Sequence, residues 1–380
     1  MTEADRDALL CLLSLGGATG PRRSLLEAHA SPAAAREAGS KAWRLVGLDE
    51  HQVRAFDATS PIPEDLARSR DWLARPEHHL IGWHDPDYPA LLRRIASPPL
   101  ALFVAGDPAL LWHPGVAVVG SRMPSAGGRD HAHDFAHALA ASGLAVISGL
   151  AAGVDAAAHA GALAAGGLTI AVLGTGADVP YPRGNAALHA EICSRGAVAS
   201  EHPPGTQARR EHFPSRNRIL AGLALATLVI EAAERSGALI TARLSGEAGR
   251  DVFAVPGSIH NPMVRGCHRL IRDGAGLVES AQEVIAALKP MAAELADALR
   301  ARLAAPSSAA KGLIETPRST AKFGDPDYHH LWEALGHDPT GMDRLVERTG
   351  LTTANVSSML LVMELEGRVA VAHGRYSRKS

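Results

Sequence analysis

The sequence predicts an α/β protein: an extended Rossmann-like, doubly wound, mainly parallel sheet between an N-terminal helical domain and a C-terminal winged helix. Three observations carry this expectation. From Val116 onward, short apolar runs without polar alternation are each followed by a helical, often Ala-rich stretch, the signature of parallel strands covered on both faces. Before that region the pattern is only helical, and after residue 324 it becomes helix–turn–helix and hairpin.

Taken in order, residues 1–75 read as a small SAM-like or helix-hairpin-helix domain. "ALLCLLSL" is apolar all round, "GGATG" is a turn, and Pro21 opens a second helix through Glu27. With Arg22 and Arg23 just beyond, the turn amides could meet a phosphate; a plain helical packing module is an equally available reading. Residues 80–288 form the Rossmann-like domain, with strands at "VAVVG", "LAVISG", "TIAVLGTG", "AVASE", "ATLVIEAA", "DVFAVPG" and "GLVES". Residues 289–324, ending in "AAPSSAAKGLIETPRSTAKFG", read as a helix that decays into a linker. Residues 325–380 give a winged helix, with Gly350 in the turn, Thr352 or Thr353 as cap, and "GRVAVAHGRYSRKS" as the wing.

Bulk composition narrows the function classes. A chain of 380 residues with 46% hydrophobic and 21% charged residues is globular, with two or three domains the natural division. At 4% aromatic content each ring can have a specific task. The net charge of −2 means that any polyanion site is a local patch. Cys11, Cys193 and Cys267 supply neither a disulfide framework nor a CxxC clasp. The N-terminus is acidic where a secretory signal would be basic. The uncharged run Ile219–Ile230 is shorter than the roughly 20 residues of a membrane span. The expected location is the cytoplasm, with no membrane, metal or cofactor.

In a doubly wound sheet, ligands bind outside the carboxyl ends of the strands. The residues there include Gly120, Ser121 and Arg122; Ser148 and Gly149 of "SGLAAGVD"; "GTGADVPYP"; "SEHPPGT"; Ser236 and Gly237 of "EAAERSG"; and "VPGS". Glycines at helix starts let backbone amides approach an anion. A P-loop is absent, and "GTGADV" has Val179 where a dinucleotide fingerprint needs its third glycine. Arg209, Arg210, Arg216 and Arg218, interleaved with Phe213 and Asn217, instead suit a single strand of nucleic acid, whose backbone arginines follow and whose bases a ring can stack. Taken alone, the same residues also fit a core phenylalanine beside a solvated turn.

Other constellations lead nowhere catalytic. His131, His133 and His137, with Asp130 and Asp134, read as a solvated helix face rather than a zinc site. Asp155 reads as a helix N-cap and His159 as its buried neighbour, rather than an acid/base pair. Ser121 and Ser148 lack a GxSxG elbow.

Between Val116 and Ala275, the ordered motifs "VAVVGSR", "SGLAAGVDAAAH", "SEHPPGT", "HFPSRNRILAGL", "SGALITA" and "GCHRLIRDGA" resemble the DNA-processing protein A family, also called Smf. The resemblance implies single-stranded DNA binding without catalysis, loading of the RecA recombinase onto incoming strands in natural transformation, and a homodimer formed through the Rossmann-like domain. It carries DNA contact onto Arg122, Arg210, Phe213, Arg216, Asn217 and Arg218. Two positions depart from it: Ala152 stands where many relatives are basic, and Gly127 where an aromatic is usual. Two rival readings exist. One is a Rossmann-like nucleoside-monophosphate hydrolase or transferase, against which "AERSGALITA" lacks the PGGxGTxxE motif. The other is a double-stranded DNA regulator acting through the C-terminal module.

Overall fold

A computed structural model of the chain describes residues 1–57, 64–304, 326–335, 340–352, 355–357, 359–360, 363, 369–372 and 375–378. Nine strands form one sheet: β1 (His78–Gly82), β2 (Ala101–Gly106), β3 (Gly115–Val119), β4 (Ala145–Ser148), β5 (Thr169–Leu173), β6 (Ala197–Ser200), β7 (Ala226–Val229), β8 (Asp251–Ala254) and β9 (Gly276–Leu277). Their order is β1-β2-β6-β5-β4-β3-β7-β8-β9. From β3 the chain winds outward through β4, β5 and β6, then returns to β7 beside β3. That reversal is the topological switch point. All pairs from β6 to β9 are parallel.

β3 to β7 are buried along their whole length, as their unalternating apolar sequences require. Helices Ala126–Ala141, Val154–Ala164 and Ala281–Ala304 cover one face of the switch-point strands; His212–Leu223, Ala238–Glu247 and Arg265–Arg272 cover the other. The first two of these helices cross closely: a Cβ on Gly161 would overlap the His133 carbonyl. Only glycine allows that approach.

Two strands went unread in the sequence. β1 and β2 extend the sheet in antiparallel sense, β1 pairing with β2 and β2 with β6. "ALFVAG" is as apolar as the parallel strands because β2 is buried on both faces. The helical N-terminal residues lie directly on this side of the sheet. Leu9, Leu12, Leu25, Leu26, Trp43 and Phe56 share one continuous core with Phe103, Leu173 and Val198. Met1–Pro306 is accordingly one compact unit, in which the helical residues share one core with the sheet while two further cores lie wholly after residue 80.

The predicted second helix starts earlier than its proline, running Thr19–Glu27. Arg22, in the first turn of that helix, is buried, and its guanidinium donates to the carbonyls of Leu12, Leu13, Gly17 and Ala18. It closes the end of the first helix, whose last carbonyls lack intrahelical partners. The helix expected at the start of 289–324 is the end of Ala281–Ala304, which continues through Pro290.

The second unit, Ser307–Ser380, has its own core of Leu331, Leu335, Leu345, Val356, Leu360, Met363 and Val369. Helices Pro326–Leu335 and Met342–Thr349 are followed by Gly350 at φ +67°. Thr352 Oγ1 then accepts from the Asn355 amide at 3.3 Å, as a cap should; Thr353, the other candidate, lies outside the described residues. Strands Val369–Ala372 and Arg375–Arg378 pair as the wing hairpin, joined by Thr340–Gly341. Arg378 of the wing stacks on Trp332 at 4.6 Å. Among the described residues no helix is long and apolar enough to cross a membrane.

Gly161→Val is expected to cost about 1–3 kcal/mol by forcing the two helices apart, read as a lower urea midpoint by circular dichroism. Gly127→Ala, on the same helix pair but facing open space, should leave that midpoint unchanged or raise it.

Candidate nucleic-acid interface

The candidate surface is the carboxyl edge of β5, β4, β3 and β7, around the switch point. Its loops are tied together by one buried carboxylate. Glu231, at the end of β7, accepts from Ser125 N (2.8 Å), Ser125 Oγ (2.6 Å) and Asn261 Nδ2 (3.2 Å). Its own carbonyl accepts from Ser121 N at 2.7 Å. The loops after β3, β7 and β8 are thus held in one arrangement, and Ser125 is free to cap helix Ala126–Ala141 through Gly128 N. Sequence reading passed over both Glu231 and Asn261; an acid closing an apolar strand was the available signal.

Gly120, Ser121 and Ser148 are structural within this arrangement. A Cβ on Gly120 would lie 2.7 Å from Val154 Cγ2. Ser121 Oγ accepts from Met123 N at 3.0 Å, and Ser148 Oγ donates to the Val118 carbonyl at 2.7 Å. Asp155 is not the N-cap of its helix. Gly153 holds that position, and Asp155 Oδ2 reaches back to accept from Gly149 N (3.1 Å) and Ala151 N (3.3 Å). It fixes the loop after β4. His159 is buried apart from it, donating from Nδ1 to Thr169 Oγ1 at 2.7 Å, and burial pushes its pKa down to about 3.

The arginines divide into two groups. Arg122, Arg209 and Arg210 are exposed. The Arg122 guanidinium lies over the half-buried Phe213 ring at 5.6 Å from its centroid. Arg216 differs: it is 5% exposed, and its Nη1 donates to the Val172 carbonyl. A Cβ on Gly149 would overlap this guanidinium, so the glycine is what admits it. Burial lowers the Arg216 pKa to about 10 against the attraction of Asp155, and burial raises that of Asp155 against the attraction of Arg216. Arg218 is also withdrawn, its Nη2 bound to the Glu201 carboxylate. The expectation that all four arginines stand along the rim is therefore corrected. On a helix, positions 216 and 218 lie about 200° apart and cannot face one groove.

Asn217 Nδ2 donates to the Gly237 carbonyl at 3.3 Å, which fixes the Ser236–Gly237 turn against helix His212–Leu223. Ser236 Oγ accepts from Ala238 N, and Gly237 faces open solvent. The stacked rings of His202 and His212, 3.9 Å between centroids, support the segment carrying Arg209 and Arg210. Burial pushes the His202 pKa down to about 4.

Two concavities meet at Arg122 and Phe213. One, about 380 Å³, is lined by Gly120, Arg122, Asp155, Arg216, Asn217 and Ser236. The other, about 350 Å³, is bordered by Arg122, Tyr181, Arg209, Arg210 and Phe213. Together they form a shallow, cationic, ring-floored depression. On helix Ala126–Ala141, the rings of His133 and His137 stack at 6.3 Å between centroids. Among the described residues no three His, Cys, Asp or Glu side chains form a metal-holding group.

Comparison with known proteins gives this geometry a context. A family model described as DNA recombination-mediator protein A matches residues 79–289, and one described as the DprA winged helix domain matches residues 315–375. Protein Smf of Escherichia coli is 39% identical over 333 residues, covering 87% of this chain and 85% of that protein. DNA processing protein DprA of Streptococcus pneumoniae is 46% identical over 223 residues, 59% of this chain and 78% of its own. The solved structure of DprA from Streptococcus pneumoniae superimposes with a TM-score of 0.64 at 37% identity, over 73% of this chain and 95% of that one. DNA processing protein A from Helicobacter pylori, described for its unique single-stranded DNA binding mode, gives a TM-score of 0.51 at 27% identity, over 56% and 96%. With two matched domains and relatives aligned over most of their length, this chain belongs to the DNA-processing protein A (DprA/Smf) family.

Proposed function

We propose that this protein is a cytoplasmic, non-enzymatic mediator that binds single-stranded DNA at the carboxyl edge of its sheet. Its role is to load RecA onto incoming strands during natural transformation. The observation that carries the binding reading is the grouping of exposed Arg122, Arg209 and Arg210 around the Phe213 ring at the topological switch point. Guanidinium groups lining one depression suit a flexible chain of phosphates, and a ring takes a base without regard to its identity. Gly120, Ser121, Ser148 and Gly149 shape the loops that admit such a strand. Asn217, Ser236 and Gly237 line the adjoining wall. Arg216 contributes positive potential from beneath, and Arg218 anchors the helix through Glu201.

The RecA and homodimer components rest on family membership. A dimer through the Rossmann-like domain is also consistent with the open margin at β9, where Leu277 is 48% exposed. The relative from Helicobacter pylori supports the choice of single-stranded DNA as ligand.

Arg122→Glu combined with Arg210→Glu should abolish binding of a fluorescent single-stranded oligonucleotide in anisotropy titrations while leaving the thermal midpoint nearly unchanged. Retained affinity in that double variant would remove the site. In salt titrations, Arg209→Ala should flatten the log–log dependence of affinity by about 0.7 for the one phosphate it no longer neutralises; an unaltered slope would take Arg209 out of contact. Arg216→Met should act on the fold instead, lowering stability by about 3 kcal/mol in urea because Asp155 loses its buried counter-charge. A stable Arg216→Met protein would contradict that role.

A further inference from the structure

Tyr181 is not explained by the fold. Its ring is 41% exposed, in a chain with few rings. It lies in the loop after β5, and its ring centroid is 5.1 Å from that of Phe213, with the planes tilted by 40°. The two rings are therefore tilted against each other and not stacked.

Two clefts of contrasting chemistry flank the pair. One, about 120 Å³, is lined by Gly149, Ala151, Ala152 and Pro182 together with the Arg122 side chain. The other carries the guanidinium groups of Arg209 and Arg210. An exposed phenol ring facing a narrow slot of small apolar groups suits a flat, weakly polar heterocycle. The cationic cleft beyond it suits the phosphate joined to that heterocycle.

Building on the single-stranded DNA reading, we propose that Tyr181 is a second base-stacking residue beside Phe213. One base of the bound strand lies against the Tyr181 ring in the Ala151–Ala152 slot, and its phosphate passes between Arg209 and Arg210. Apart from the Tyr181 phenol itself and the Arg122 guanidinium, the side chains lining the slot are apolar, so the contact is made through the face of the base and not by reading its edge. The strand must enter with at least two unpaired bases, because a duplex cannot turn successive bases onto two tilted rings.

The test uses the full-length protein, a short oligothymidylate, and an oligonucleotide of equal length and charge whose sites are abasic. Tyr181→Ala should weaken oligothymidylate binding by about tenfold, and Tyr181→Phe should keep about wild-type affinity, since stacking needs the ring and not the hydroxyl. On the abasic strand, wild type and Tyr181→Ala should bind alike. Wild-type affinity of Tyr181→Ala for oligothymidylate overturns the proposal, as does an equal loss on both strands, which would mean that Tyr181 acts by positioning the arginines. Failure of the wild-type protein to bind either strand overturns the single-stranded DNA reading itself.

Discussion

The buried Glu231 carboxylate is the interaction on which the rest of the candidate surface depends. It ends β7 at the point where the sheet reverses direction, and it holds the loops that follow β3 and β8 through Ser125 and Asn261. A carboxylate with no salt-bridge partner among the described residues is tolerable there only because one amide, one hydroxyl and one side-chain amide converge on it. Gly128 leaves the space that the carboxylate occupies. Without this tie, the loop bearing Arg122 would have no fixed position relative to Phe213, and the depression between them would lose its shape.

A second polar pair underlies the neighbouring loops. Arg216 and Asp155 are both buried and both bond to backbone, the arginine through Nη1 to the Val172 carbonyl while its Nε makes no hydrogen bond, the aspartate to the amides of Gly149 and Ala151. They lock the ends of β5 and β4, from which the Tyr181 and Ala152 loops depart. The division of labour follows. Buried charge fixes the loops, and exposed charge is left for a ligand. A groove built this way is rigid in its floor and adaptable at its rim, which suits a polymer whose backbone spacing varies.

Much of the architecture was legible because buried parallel strands announce themselves: "VAVVG", "LAVISG" and "TIAVLGTG" have no polar alternation, and each is found as a strand. The helix–turn–helix and wing were equally readable from Gly350, Thr352 and the β-branched hairpin. β2 was missed although it is just as apolar, since nothing local distinguishes an antiparallel strand buried on both faces from other apolar runs. The start of the helical region as a separate domain was read from composition, which does not register that Leu25, Phe56 and Phe103 share one core. At the site, residue types were found and their burial was not. Four arginines within ten positions look like one patch, but helical geometry turns Arg216 and Arg218 to different sides and leaves Phe213 with Arg122. The cap was misplaced by two positions because Gly153, with φ +85°, begins the helix without a side-chain cap.

The central claim is that an unpaired strand lies along the carboxyl edge of the sheet, and ultraviolet cross-linking of a single-stranded oligonucleotide to the full-length protein, mapped by peptide mass spectrometry, tests it most directly. The account predicts cross-links within residues 120–123, 149–152, 181–182 and 208–214. Cross-links confined to residues 307–380 would contradict it and transfer the binding role to the winged helix.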